Sequence, residues 1–225
     1  FPEFYGLIVD GIFQTQAEAD AYPKEFGGTY NLAGHFKFRN VNKDTVINDA
    51  DRTYIGKPQP DFTGGLNVDL AYKNFTLNAF FYASYGNKVI NYVKRWIDYS
   101  QFNGNRSKTR LYESWGSPYL KNNLDAKLPL ADLSDISQYP STAFLEDGSF
   151  LRLKSLQVGY NLPEKWIKSF GMDKLEVYVQ STNLFTLTKY TGLDPEISSG
   201  GTYMGIDQGA WPTTRQIMLG VKVDF

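Results

Sequence analysis

The chain has 225 residues, with 23 Lys and Arg against 24 Asp and Glu, so charge points to neither nucleic acid nor an anionic membrane surface as a partner. With no cysteine, disulfides, thiolate metal sites, iron–sulfur clusters and cysteine nucleophiles are excluded. Mean hydropathy is −0.39 and no apolar run nears the ~18 residues of a membrane helix, while 16 Tyr, 16 Phe, 20 Gly and 10 Pro favour strands and turns.

Phe1-Pro2-Glu3-Phe4-Tyr5 has no initiator Met, basic n-region or apolar h-region, so the chain is expected to be a piece of something longer. Tyr5, Leu7, Val9 and Phe13 alternate and suggest a first strand, although Ile8 and Ile12 blur the pattern. The run from Asn40 to Asp51 then places oxygen ligands at calcium-loop spacing. However, Thr45 stands where the sharp turn wants Gly, and Asn40 replaces a carboxylate, so a solvated turn is the expected reading and no metal is assigned.

Leu66, Val68, Leu70 and Tyr72 alternate with Gly65, Asn67, Asp69 and Ala71. After Lys73-Asn74 the alternation resumes through Phe75, Leu77, Ala79, Phe81, Ala83 and Tyr85, which predicts a tight hairpin. Val89, Val93, Trp96 and Ile97 recur at helical spacing between Asn87 and Phe102. Strands are predicted at Leu156–Leu162 and Leu175–Val179, and the last at Ile217, Leu219, Val221, Val223 and Phe225, with Gln216, Met218, Gly220, Lys222 and Asp224 on its other face.

Connections are short and long in turn. The long ones, roughly 14–63, 86–148 and 186–214, far exceed the ~12–15 residues of an unstructured connection in a compact domain, so they should be folded. Periodicity alone fits both a soluble sandwich, a candidate glycan-binding module, and a transmembrane barrel. The turn asymmetry, aromatics near strand ends (Tyr72, Phe75, Tyr85, Tyr160, Trp166) and the terminal aromatic favour the barrel. About six antiparallel strands cannot close, and open edges in hydrocarbon are costly, so more strands must complete the barrel. An even count also puts Phe225 at the short-turn end.

Several stretches carry a resemblance: Val9 to Glu18, Ile55 to Gly65, Glu146 to Lys154 followed by Val158-Gly159-Tyr160-Asn161-Leu162-Pro163, Tyr190 to Glu196, and Pro212-Thr213-Thr214-Arg215. In this order they resemble the C-terminal part of the SusC/RagA family of TonB-linked transporters in the outer membrane of Bacteroidetes-type bacteria. The resemblance implies an all-β fold: the last strands of a 22-strand barrel with long extracellular loops. It further implies import of oligosaccharides or peptides, with a SusD-like surface lipoprotein over the mouth, the remaining barrel and a plug, outer-membrane lipid around the wall, and energy from the TonB complex. The family's plug, TonB box and N-terminal extension match nothing in residues 1–225, and no cofactor is implied. Alternatively, the segment is a purely structural barrel piece. Phe225, Val223 and Val221 resemble the signal read by the barrel-assembly machinery.

Catalysis finds little purchase. His35 is the single histidine, and Asp194 and Glu196 flank a proline with nothing to separate their acidities, so no catalytic residue is assigned and no enzyme is expected. Loop aromatics remain. Trp115, Tyr119, Tyr203 and Trp211 are the candidate contacts for sugar rings or peptide side chains, with Trp96 and Tyr99 also in the loops and Trp96 expected in a loop core through its helical stripe.

Overall fold

The computed structural model describes residues 2–28, 30–99, 104–132, 139–197 and 203–225. Two compact units emerge. One comprises Gln59–Asn87, Asp147–Glu196 and Ala210–Phe225; the other comprises Phe1–Pro58, Lys88–Glu146 and Ile197–Gly209.

The first unit is an antiparallel sheet of β1 (Phe62–Tyr72), β2 (Phe75–Tyr85), β3 (Phe150–Asn161), β4 (Lys174–Thr182), the short β5 (Thr186–Thr188) and β6 (Gln216–Asp224). Its spatial order is β6-β4-β3-β2-β1, with β5 pairing the start of β3. The expected hairpin is present: Tyr72 pairs Phe75 across Lys73-Asn74, and Lys73 takes a positive φ of 53° to close it. Asn183, at φ 49°, separates β4 from β5 and lets the strand continue along β3.

Directly opposed residues share a face, so the register shows which side chains travel together. Leu70, Leu77, Val158, Val179 and Leu219 form one row across all five long strands, and the next row is Tyr72, Phe75, Tyr160, Val177 and Val221. At the other end of the sheet stand Phe62 and Tyr85. This face therefore begins and ends on aromatic rings, and it is open: Leu66 is 60%, Leu70 60% and Leu219 76% exposed. A soluble sandwich requires those side chains to be sealed against a second layer. Their exposure argues against it and leaves acyl chains as their natural solvent. An 11-residue strand tilted by ~40° rises about 27 Å, close to the height of such a band.

The opposite face carries Asn67, Asp69, Asn78, Gln157, Gln180 and Lys222 among small and aromatic residues. Glycines here leave room for neighbours. A Cβ on Gly220 would lie 2.3 Å from the Tyr178 ring, and one on Gly159 would meet the Glu176 carboxylate at 2.2 Å. Glu176 accepts a hydrogen bond from Thr76 at 2.9 Å over that gap, tying β2 to β4 across β3.

The register of β3 against β2 slips by one residue between Leu153 and Ser155, leaving Lys154 as the extra residue of a bulge. The slip keeps Leu151 and Leu153 on the same face as Leu156, Val158 and Tyr160. It sends Arg152 to the polar face.

The second unit is built from the chain's start and its long connections. Its core is Leu7, Phe36, Phe38, Ile47, Tyr99 and Phe144. The strand expected over Tyr5–Phe13 does not join the long sheet. Phe4–Gly6 pairs Thr53–Gly56, Val9–Ile12 pairs Phe36–Phe38, and Leu7 and Phe13 are fully buried, so local burial outweighs extension into the sheet. The sheet's sixth strand is Thr186–Thr188 instead. The helical spacing in 87–102 resolves into a strand at Lys88–Asn91 and a single turn at Lys94–Ile97; residues 100–102 lie outside the described residues. Trp96 is 47% exposed, not a core residue, whereas Tyr99 is buried.

Glu25 is fully buried in this unit. One carboxyl oxygen accepts the Phe38 N–H at 2.8 Å; the other has no partner among the described residues. Burial pushes its pKa up from 4.5 to about 8. The folded unit thus holds a proton that the unfolded chain has lost between those values, and stability falls as pH rises through that window, by up to ~1.4 kcal/mol per pH unit. The temperature at which the loop unit becomes protease-sensitive in the intact protein is expected to drop between pH 5 and 8, and to stay level in Glu25→Gln.

A second test addresses the open face. Arg in place of Leu219 should cost ~2–4 kcal/mol of folding stability in a bilayer, against less than ~1 kcal/mol for Gln180→Arg on the polar face, read from urea titrations of the intact protein in liposomes.

Candidate functional site

The most developed polar cluster in the sheet unit surrounds Arg152, whose side chain is 2% exposed. Its guanidinium donates to Asp194 Oδ1 at 2.5 Å, Glu196 Oε2 at 2.7 Å, Thr213 Oγ1 at 2.8 Å and Thr186 Oγ1 at 2.8 Å. Lys154 donates to both Glu196 oxygens, at 2.7 and 2.6 Å. The bulge presents both cations to one loop. Asp194 is also the acceptor for the Thr213 and Glu196 backbone N–H groups at 3.0 and 2.9 Å. Although burial opposes its ionisation, hydrogen bonds from Arg152 and Thr213 hold the Asp194 carboxyl below the usual range.

Asp194 and Glu196 are therefore committed to cations and to their own turn. Two carboxylates locked to one guanidinium supply neither a general acid nor a free nucleophile. The cluster fastens the connection between β5 and β6 to the polar face of β3. Arg152 and Lys154 were missing from the residues singled out by sequence, although a charged pair inside an apolar strand was the available signal.

The loop aromatics differ in exposure. Trp211 is 90%, Tyr119 60% and Tyr203 57% exposed. Tyr119 packs on Tyr112 with centroids 5.1 Å apart. Trp115 is half-buried; its indole N–H donates to Gln14 Oε1 at 3.1 Å, and its ring lies where a Cβ on Gly34 would stand, at 2.6 Å. Gly34 itself takes φ 88°, so both backbone and space exclude another residue. Val221, Val223 and Phe225 stand on the open face at the short-turn end, Phe225 87% exposed.

In the run from Asn40 to Asp51, carboxylate oxygens are used by backbone donors. Asp51 accepts from Val41 at 2.8 Å and Asn48 at 2.9 Å, and Asp44 accepts from Val46 at 2.8 Å. This is a turn network; among the described residues no group of three His, Asp or Glu side chains has metal-ligand grouping. His35 is buried, with Nε2 2.7 Å from Asp132 Oδ2.

A sheet with one lipid-type face, one polar face and aromatic ends defines the wall of an outer-membrane β-barrel. No family model matches the chain. It is 34% identical over 234 residues to the TonB-dependent receptor P3 of Formosa agariphila, covering 99% of this chain and 22% of the relative. It is 29% identical over 189 residues to the TonB-dependent receptor SusC of Bacteroides thetaiotaomicron, covering 84% and 17%. The solved RagAB peptide transporter superposes with a TM-score of 0.71 at 25% identity, over 99% of this chain and 23% of that one. The chain thus belongs to the SusC/RagA type of TonB-dependent receptor of the outer membrane, as its motifs indicated, and spans about a fifth of the length of the curated relatives it matches. Those relatives are receptors and transporters, not enzymes.

Replacing Arg152 with Ala leaves Asp194 and Glu196 without their buried cation, at a cost of ~3–5 kcal/mol to the attachment of the loop. Protease cleavage between Tyr190 and Arg215 on whole cells is expected to rise sharply in Arg152→Ala, with the heat-modifiable gel mobility of the barrel retained. Because the Asp194 carboxyl is held below 3.8, its share of the attachment is complete above that pH and is lost as pH falls through its lowered value.

Proposed function

We propose that this chain forms barrel wall and extracellular loops of an energy-dependent importer of oligosaccharides or peptides across the outer membrane. The observation that carries the reading is the five-strand apolar face, open from Phe62 to Tyr72 and bounded by rings, on a sheet whose other face is polar. The remaining strands and plug of the same transporter complete the pore in this reading, a SusD-like lipoprotein covers the mouth, and the TonB complex supplies energy. The peptide cargo of the RagAB transporter supports a peptide as one class of substrate.

Residues 1–225 form the C-terminal portion of that barrel in this reading, and Asp194 and Glu196 serve the Arg152 attachment. Trp211, Tyr119 and Tyr203 offer exposed rings for stacking on cargo. Trp115 contributes by fixing its own loop through Gln14 and Gly34. Val221, Val223 and the terminal Phe225 present the apolar edge that the assembly machinery reads.

Uptake of labelled oligosaccharides and of labelled peptides by cells carrying the full transporter is the test. Transport of one class, abolished when TonB is deleted, is the expected result; uptake persisting without TonB overturns the import reading. With equal amounts in the outer membrane, Trp211→Ala combined with Tyr119→Ala should lower uptake about tenfold at limiting substrate, and unchanged uptake removes these rings from the site.

A further inference from the structure

The polar face of the sheet holds a hollow of about 330 Å³ near the Lys73-Asn74 turn, within the range of ligand pockets. Asp69, Ala71, Thr76, Asn78, Gln157 and Glu176 line it, from β1 across to β4. The space exists because Gly159, which stands between Thr76 and Tyr178 in register, has no side chain: a Cβ there would lie 2.5 Å from Thr76 Oγ1.

Glu176 is the unusual member of the lining. It is 8% exposed, and its Oε1 accepts from Thr76 Oγ1 at 2.9 Å, while among the described residues nothing donates to Oε2. A carboxylate withdrawn that far from water calls for a charged partner. Lys222 does not fill that role. It stands opposite Glu176 on β6, whereas the carboxylate reaches the other way, over Gly159 to β2, and no ion pair joins the two. The other lysines at this end are also engaged elsewhere: Lys174 is opposed by Asp224 in register, and Lys73 sets its ammonium 5.4 Å from the centroid of the Tyr72 ring, which belongs to the apolar face. Asp69 takes one hydrogen bond from the Asn78 amide. Two carboxylates and no cation therefore line the hollow, with the Gln157 amide on the strand between them. Among the described residues no group of three His, Asp or Glu side chains has metal-ligand grouping, so the donors suit an organic cation better than a divalent ion. A planar guanidinium fits them, because its fork can meet one carboxylate and still donate to an amide oxygen or to the second carboxylate.

We propose that this hollow is a subsite for a basic side chain, arginine above all, of a peptide passing along the bore. The guanidinium meets Glu176 and Asp69, and Gln157 and Asn78 supply amide oxygens beside them. As a cargo subsite the proposal rests on the import reading above and narrows it to peptides that carry basic residues; as a cation site it stands without it.

The test uses the intact transporter in detergent, freed of other accessible thiols and carrying Ala71→Cys in the wall of the hollow; residues 1–225 contain no cysteine of their own. The rate of labelling by N-ethylmaleimide is read in the presence of two isosteric peptides, one with arginine and one with neutral citrulline between two alanines. The arginine peptide is expected to halve the rate at a concentration about tenfold lower than the citrulline peptide. Asp69→Asn combined with Glu176→Gln, which keeps the shapes and removes both charges, should bring the two peptides level. Asp69 is exposed, so Asp69→Asn alone leaves the fold as it is and should narrow the preference severalfold. Equal protection by the two peptides in the parent, protection by neither, or a preference for arginine that is unchanged in both variants each overturns the proposal. Uptake of the same two peptides by cells separates the site from the import reading. Protection by the arginine peptide with no uptake of either removes peptide import and keeps the cation site, whereas TonB-dependent uptake of both without any difference in protection removes the site and keeps import.

Discussion

Hydrocarbon supplies no hydrogen-bond partner, so every backbone N–H and C=O inside a bilayer must find one within the protein. That constraint explains why the sheet is a meander of consecutive antiparallel strands, joined by a two-residue turn where the chain reverses most tightly. Within the described residues, β1 and β6 pair on one side only. Leaving either outer edge in lipid would cost several kcal/mol per orphaned group, so the sheet is stable in a membrane only as part of a larger closed wall. The match to about 23% of a solved RagAB transporter chain fits that requirement.

Two kinds of stability coexist in this chain. In the sheet unit, the large apolar side chains point outward, and polar contacts such as Thr76 with Glu176 and Arg152 with Asp194 hold strands and loop together. In the loop unit the order is that of a water-soluble domain: Leu7, Phe38 and Ile47 are almost completely buried, and Phe26 stacks on Tyr139 at 3.8 Å. A long connection with its own core presents side chains on a defined surface at smaller entropic cost than a mobile loop would.

Legibility followed from how far a period of two ran undisturbed. The hairpin over Leu66–Tyr85 and the last strand could be read because each alternates without interruption and one face of each contacts a uniform solvent. The family motifs, spread over nearly the whole chain, made the barrel assignment specific where periodicity left a sandwich open. The start of the chain misled because Leu7 and Phe13 alternate with Val9 on paper, yet Gly11, at φ 146°, and separate partners break the segment into two short pairs. Among the loop aromatics, residue type could not distinguish Trp115, locked on Gln14 and Gly34, from Trp211, open to solvent, since that difference is set by contacts far apart in sequence.

The start of β3 shows why a single inserted residue matters to function. Read upward from Tyr160 with strict alternation, Val158 and Leu156 lead to Lys154 and Arg152, which would put two cations into lipid at ~2–4 kcal/mol each near the midplane and less toward the interface. The pattern therefore looked like a strand beginning at Leu156. Displacing Lys154 into a bulge shifts the parity by one, so that Leu153 and Leu151 take the apolar face and Arg152 turns to the polar one. The same displacement places Arg152 and Lys154 together against Asp194 and Glu196. One irregularity thus extends the wall from Leu156 back to Phe150 and fixes Asp194 and Glu196 to it. The loop is held from inside the sheet's polar face, where a buried guanidinium can be fully paired.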